Sequence, residues 1–105
     1  MLESQIENSI LEFLNIKGYF AIKVPDQRQC RDGVYQKQKF MVRGVPDIFC
    51  FCPDGKVLMF EVKTSIGKLS SYQYNFHEKI KKMSHQVYVV RSIPDVEAIL
   101  KNIVT

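Results

Sequence analysis

A chain of 105 residues, 46% hydrophobic and 25% charged, has room for one domain with its own core, and this composition excludes a disordered or fibrous protein. A formal net charge of +4 favours a polyanionic partner, although a solvated basic surface would give the same value. No apolar run approaches the ~20 residues that span a bilayer, and the first ten residues do not resemble a signal peptide. We therefore expect a single domain over residues 1–105, cytoplasmic and without a membrane partner.

The three cysteines, Cys30, Cys50 and Cys52, support the same location. Their number is odd, and Cys50 and Cys52 are two apart in a predicted strand, where the stretched backbone between them disfavours a disulfide. A reducing compartment fits this arrangement best.

The first part of the chain predicts a helix, a strand and a polar segment. Apolar residues at helical spacing predict a helix that is capped by Ser4 and stops at Gly18. The alternating segment Tyr19 to Val24 predicts a strand that ends at Pro25. Residues 25–44 are rich in Gln, Lys and Arg, which indicates a long loop or an exposed two-stranded excursion.

The second part predicts a hairpin followed by a crossover. The segments RGVPDIFCF (Arg43 to Phe51) and VLMFEVK (Val57 to Lys63) read as apolar strands, and a serine-capped helix (Ser71 to Met83) and a strand (Gln86 to Arg91) follow. A last helix follows Arg91, with Asp95 as its predicted cap. This order predicts an α/β fold with a mixed central sheet, covered by helices on both faces because the hairpin strands are apolar on both faces.

The hairpin turn predicts which residues face each other. Pro53–Gly55 suits a three-residue loop with glycine in the left-handed position, so that Cys52 pairs with Lys56. In that register Asp47 lies opposite Glu61, with the Cβ atoms about 4.5 to 5.5 Å apart.

Two opposed acids in otherwise apolar strands call for an explanation. Facing carboxylates repel, and a bound Mg²⁺, which takes carboxylate oxygens and keeps several waters, removes the repulsion. Lys63 is the next side chain on that face and could orient or deprotonate an attacking water. The alternative is an ordinary salt bridge among charges at fraying, solvated strand ends.

These residues resemble a known family. "GVPD", a hairpin, "EVK" and a helix with Gln73 in "KLSSYQ" resemble the PD-(D/E)XK nuclease superfamily, and within it the stand-alone VRR-NUC domains, relatives of archaeal Holliday-junction resolvases. The resemblance covers nearly the whole chain. It implies a restriction-endonuclease-like α/β/α sandwich with a mixed central sheet. It also implies a metal-dependent endonuclease, with Mg²⁺ or Mn²⁺ as cofactor, that forms a homodimer and cuts branched DNA such as four-way junctions.

The resemblance also implies roles for individual residues. Asp47 and Glu61 match the metal-binding acids, with the Val62 carbonyl as a further ligand, and Lys63 matches the catalytic lysine. Gln73 matches the glutamine of the following helix, expected to steady Lys63 or the phosphate. The family also uses a glutamate on the first helix, for which Glu7 fits best and Glu3 remains an alternative.

Basic residues suggest where DNA would bind. Five of them precede the second strand, interleaved with aromatic residues, and a sixth follows the third strand: Arg28, Arg31, Lys37, Lys39, Arg43 and Lys68. Basic groups can bind phosphates and an aromatic ring can stack on a base, although a solvated loop would have the same composition. His77 and His85 fit polar surface positions better than a catalytic role.

Other functions are compatible with the same pattern. A monomeric flap or nicking nuclease would use the same residues without a dimer. A non-catalytic nucleic-acid-binding module or a structural partner in a larger repair or restriction complex would keep the fold, and loss of the metal-binding residues would distinguish a module. The chain retains Asp47, Glu61 and Lys63, which favours the nuclease.

Overall fold

The computed structural model describes residues 1–25 and 40–103, which form three helices and a four-stranded sheet. The elements are α1 (Glu3–Ile16), β1 (Phe20–Lys23), β2 (Ile48–Phe51), β3 (Val57–Val62), α2 (Ser71–Lys81), β4 (Val87–Val90) and α3 (Ile93–Ile103). Their order is the predicted one. The proposed excursion lies mostly outside the described residues, as do Arg28, Arg31, Lys37 and Lys39.

The sheet is mixed, as predicted. Its strands follow the order β1-β2-β3-β4, in which β1 and β2 are antiparallel, β2 and β3 are antiparallel, and β3 and β4 are parallel. A parallel pair needs a crossover connection, and α2 supplies it between β3 and β4.

The helix starts agree with the sequence prediction in one case of three. Ser70 caps α2, and its Oγ accepts a hydrogen bond from the backbone N–H of Gln73 at 3.2 Å. The predicted Ser4 cap is wrong because α1 begins at Glu3. The predicted Asp95 cap is also wrong: Asp95 lies in the first turn of α3, and its carboxylate accepts the N–H of Arg91 at 2.9 Å.

The main core lies between one face of the sheet and helices α1 and α3. Ile10 and Leu14 of α1, Phe60 of β3 and Val96 of α3 have no exposed surface. Burying a large apolar side chain contributes about 1.5–3 kcal/mol, so this layer accounts for much of the stability. No helix within residues 1–25 and 40–103 is long and apolar enough to cross a membrane.

Helix α2 lies on the opposite face of the sheet, as the predicted sandwich requires, but within residues 1–25 and 40–103 it covers only part of that face. We call this surface the open face; its residues are Phe20, Ile22, Phe49, Phe51, Val57 and Met59. Phe20 is 64% exposed and Val57 49% exposed. Helix α2 contacts this face at the Glu61 end of β3, and none of the residues of α2 is fully buried.

Candidate active site

The hairpin has the register that the sequence predicts. Cys52 donates its N–H to the carbonyl of Lys56 at 2.8 Å, and Gly55 has a left-handed φ of +95°. The ladder runs from Phe51 opposite Val57 to Ile48 opposite Phe60. One further step places Asp47 opposite Glu61.

Glu61 is completely buried, although it is a carboxylate. It has no exposed surface, and Lys63 is only 8% exposed, so the alternative of solvated charges at fraying strand ends is wrong. Helix α2 supplies the neighbours of Glu61. Gln73 donates from Nε2 to Oε2 at 3.2 Å, and Nε2 of His77 lies 3.5 Å from Oε1. A buried charge without full compensation is costly, which points to a chemical purpose for this residue.

Asp47 is anchored by the backbone of both neighbouring strands. Its Oδ2 accepts the N–H of Val62 at 2.8 Å, and its carbonyl accepts the N–H of Val24 at 2.8 Å. In an extended strand a residue's N–H and C=O point to the same neighbouring strand, so the Val62 carbonyl also faces the Asp47 side. Asp47, Glu61 and the Val62 carbonyl thus lie at the same end of the hairpin.

The electrostatics of the acid pair are unfavourable in the absence of a cation. The pKa of Glu61 is raised to about 9, first by burial and then by hydrogen bonding to Asp47 and the charge of Asp47, while the charge of Lys63 lowers it. Glu61 therefore holds a proton at neutral pH unless a cation replaces it.

Glu7 brings a third acid to this site from α1. It is only 6% exposed, as expected for a residue on the core side of the helix. Burial and the charge of Asp47 raise the pKa of Glu7, and Lys23 lowers it. Nζ of Lys23 lies 3.4 Å from Oε1 of Glu7, in an ion pair whose geometry is outside that of a hydrogen bond. Glu3 lies one turn earlier and also lines the cleft, but it is only partly buried. The burial and the interaction with Asp47 favour Glu7 over Glu3.

A cleft of about 510 Å³ opens at Glu7 and Asp47, and Glu61 lies buried outside its lining. Its lining comes from α1, the end of β1, the segment before β2, the residue after β3 and the start of α2. It includes Glu7, Lys23, Arg43, Asp47, Lys63 and Gln73. The Arg43 guanidinium stacks on the ring of Tyr72 at 4.2 Å from its centroid, at the rim of the cleft. Lys68 is exposed in the β3–α2 connection and does not line the cleft.

Gln73 contacts a different partner from the expected one. We expected it to steady Lys63 or a phosphate, but its amide is held at both ends by other groups. Its Oε1 accepts the N–H of Ser70 at 2.9 Å and its Nε2 donates to Glu61. The helix cap thus fixes the orientation of the amide that holds the buried acid.

The donor set suits a hard divalent cation. Oε1 of Glu7 and Oε1 of Glu61 are buried without a hydrogen-bond partner, and carboxylate and carbonyl oxygens are the ligands that Mg²⁺ and Mn²⁺ prefer. Among the described residues no group of three or more His, Cys, Asp or Glu side chains is arranged to hold a metal. A pair of acids with one backbone carbonyl is sufficient for Mg²⁺, because this ion usually retains several waters.

Gly44 sets the distance between the segment before β2 and the start of α2. Its φ is +86°, and a Cβ there would lie 2.2 Å from the backbone oxygen of Tyr72 and 2.7 Å from the backbone nitrogen of Gln73. We expect Gly44→Ala to displace α2, lower the free energy of unfolding by about 3 kcal/mol or more, and reduce activity. Urea unfolding monitored by circular dichroism measures this.

Gly55→Ala is the matched control for Gly44→Ala. Gly55 has a similar φ of +95°, but a Cβ there would have no atom within 4 Å. Gly55→Ala should lower the free energy of unfolding only by the strain of alanine in the left-handed conformation, about 1–2 kcal/mol. Equal losses for the two variants would contradict the proposed contact with α2.

Sequence reasoning missed one neighbour of the site. His77 was assigned to the polar surface, yet its side chain is only 14% exposed and faces Glu61. The available signal was its spacing from Gln73, because residues four apart on a helix share a face.

Comparisons with known proteins identify a curated relative and solved structures with the same fold. No family model matches the chain. Among curated proteins, it is similar to "Putative nuclease p44" of Acyrthosiphon pisum secondary endosymbiont phage 1, with 38% identity over 58 residues, or 55% of this chain. The match spans 61% of the length of that relative.

Solved structures share the whole fold. A VRR_NUC domain superimposes with a TM-score of 0.72 at 22% identity and covers 96% of both chains. A VRR_NUC domain protein superimposes with a TM-score of 0.60 at 14% identity and covers 96% of this chain and 86% of that one. These matches confirm the predicted α/β architecture with a mixed sheet.

Proposed function

Because the chain has the fold of VRR_NUC domains, we propose that it is a metal-dependent endonuclease that hydrolyses DNA phosphodiester bonds. One observation carries the proposal: Asp47 lies opposite a fully buried Glu61 whose pKa is raised to about 9. Such a pair destabilises the folded protein, but it can bind a divalent cation. The likeness to a phage protein named as a nuclease supports the same activity.

The residues in and behind the cleft take the following roles in this proposal. Asp47, Glu61 and the Val62 carbonyl would hold Mg²⁺ or Mn²⁺, with Glu7 as a further acid for the same ion or a second one. The bound cation supplies Lewis-acid activation of the water and neutralises charge on the phosphate. Lys63 orients the attacking water or stabilises the negative charge that builds on the phosphate.

The reaction is an in-line displacement. A water oxygen attacks phosphorus, and the bond from phosphorus to the leaving sugar oxygen breaks. The proton that the water loses is balanced by the one that the leaving oxygen gains. Gln73 keeps the Glu61 carboxylate oriented through the hydrogen bond from Nε2 to Oε2. Arg43, which stacks on Tyr72 at the rim of the cleft, binds a DNA phosphate in this proposal.

Branched DNA is the proposed substrate, and a homodimer is the proposed form. The open face supports the dimer because it presents uncharged aromatic and aliphatic side chains to solvent, and contiguous apolar surface of this kind marks interaction sites. Two cleavage sites in one symmetric dimer would cut a four-way junction at symmetric positions.

A panel of labelled DNA substrates tests this selectivity. With Mg²⁺ or Mn²⁺ we expect paired, symmetric cuts in a four-way junction and little cutting of plain duplex. Preferred cutting of a 5′ flap by a monomer would instead support the flap or nicking nuclease. Binding of all three substrates without cleavage in either metal would support the non-catalytic module.

The dimer has its own test. Phe51→Glu introduces a charge at the centre of the open face, where Phe51 is 40% exposed and its ring centroid lies 6.1 Å from that of Phe20. We expect this variant to sediment as a monomer at micromolar concentration, whereas wild type sediments as a dimer. Ile16→Glu is the control, because Ile16 is an exposed apolar residue on α1, outside the open face. A monomeric wild type would contradict the dimer without affecting the proposed chemistry.

A further inference from the structure

His77 combines features that a surface histidine would not have. Its side chain is only 14% exposed, and its Nε2 is buried without a hydrogen-bond partner. Oε1 of Glu61 lies 3.5 Å away and is also buried without a hydrogen-bond partner. Buried polar atoms without a hydrogen bond destabilise the folded protein. Here a small movement that brings the two atoms into hydrogen-bond distance would remove that destabilisation.

The position of His77 on α2 complements that of Gln73. The two residues are four apart, and therefore one turn apart on the same side of the helix. Gln73 donates to Oε2 of Glu61, and His77 faces Oε1. Side chains of α2 thus face both oxygens of the Glu61 carboxylate. Two such contacts fix the plane of the carboxylate more firmly than a single contact can.

The charge state of the site is consistent with a neutral donor. Burial and the nearby charge of Lys63 lower the pKa of His77, and a neutral imidazole carries one N–H. A carboxylate oxygen accepts hydrogen bonds, so an N–H on Nε2 of His77 is the donor that suits Oε1 of Glu61.

We propose that His77 is a positioning residue, which donates from Nε2 to Oε1 of Glu61 and, together with Gln73, aims the remaining lone pairs of Glu61 at the bound cation. This inference rests on the proposed metal site. Carboxylates that bind metals are themselves oriented by hydrogen bonds, and loss of such a partner typically weakens metal affinity by 10- to 100-fold.

Mn²⁺ binding measured by calorimetry tests the role without relying on cleavage. His77→Leu keeps the approximate volume and removes the donor, and we expect its dissociation constant for Mn²⁺ to rise by about 10-fold or more. His77→Gln carries an amide nitrogen near the position of Nε2 and should bind Mn²⁺ within about 3-fold of wild type. His85→Leu is the control, because His85 is exposed in the turn after α2.

The tautomer of His77 gives a second readout, which needs no activity. Nitrogen-15 NMR of the Mg²⁺-saturated protein should show the proton on Nε2. A proton on Nδ1 alone, wild-type Mn²⁺ affinity in His77→Leu, or failure of His77→Gln to restore binding would each overturn the proposal. Absence of Mn²⁺ binding in wild type would instead overturn the metal site on which the proposal rests.

Discussion

Replacing Glu61 with glutamine is expected to abolish cleavage and, at the same time, to stabilise the metal-free protein. The amide cannot supply the negative charge that holds the cation, so we expect kcat to fall by about 10³-fold or more. The same change removes a buried acid whose pKa is raised to about 9. Function and stability should therefore move in opposite directions.

The pH dependence gives the sign of the stability effect. A raised pKa means that the folded state holds the proton more tightly than the unfolded state, whose carboxyl titrates near 4.5. The contribution of Glu61 to stability is thus fully present below pH 4.5 and is lost progressively as the pH rises towards 9. At pH 7 the loss is on the order of 3 kcal/mol, at 1.36 kcal/mol for each pH unit.

Thermal melts of the metal-free proteins at several pH values measure this effect. Between pH 5 and pH 9 the Tm of wild type should fall relative to that of Glu61→Gln, and added Mg²⁺ should restore it in wild type alone. Parallel Tm profiles of the two proteins would contradict the raised pKa, and Mg²⁺ stabilisation of the glutamine variant would contradict the role of Glu61 in binding.

Asp47 substitutions are expected to have the other large effect. Asp47→Asn retains an oxygen that can accept the N–H of Val62, the contact that Oδ2 makes at 2.8 Å. This variant should fold normally but lose at least about 10³-fold in cleavage, because the charge on the cation side is gone. Removal of the charge also lowers the pKa of Glu61, since hydrogen bonding and charge from Asp47 help to raise it.

Asp47→Ala separates the structural from the chemical part of that role. The alanine leaves the N–H of Val62 without its acceptor, which costs a further 1–3 kcal/mol or so in the free energy of unfolding. Urea unfolding and cleavage assays on the two variants measure the two parts. Intact cleavage by Asp47→Ala would refute the proposed mechanism.

The hairpin shows how much a short sequence can determine. Pro53–Gly55 specifies the turn and the turn specifies the register, because a slip of one residue would move every side chain to the other face. The opposition of Asp47 and Glu61 followed from that register alone. The burial of Glu7 could likewise be predicted from helical spacing.

Tertiary features were less predictable. Because the hairpin strands are apolar on both faces, they predict a helical layer on each side, but a strand sequence does not reveal how much of a face each helix covers. Within the described residues α2 leaves Phe20 and Val57 of the open face exposed. The contact of Gln73 with Glu61 depends on the angle at which α2 crosses the sheet, which local sequence does not specify.

His77 illustrates the same limit within the site. Its spacing from Gln73 placed both residues on one side of α2, but only the packing of that side over Glu61 shows what they face. A lone histidine on a polar helix is most often a surface residue, so its role depends on its surroundings.

The most direct measurement of the central claim is cleavage of a labelled four-way junction by the purified protein in EDTA, followed by addition of excess Mg²⁺ to the same reaction. The account predicts intact DNA in EDTA, cleavage within minutes of Mg²⁺ addition, and no cleavage by Asp47→Asn under either condition. Cleavage that continues in EDTA, or that Asp47→Asn performs as well as wild type, would contradict a metal-dependent site built on the facing acids.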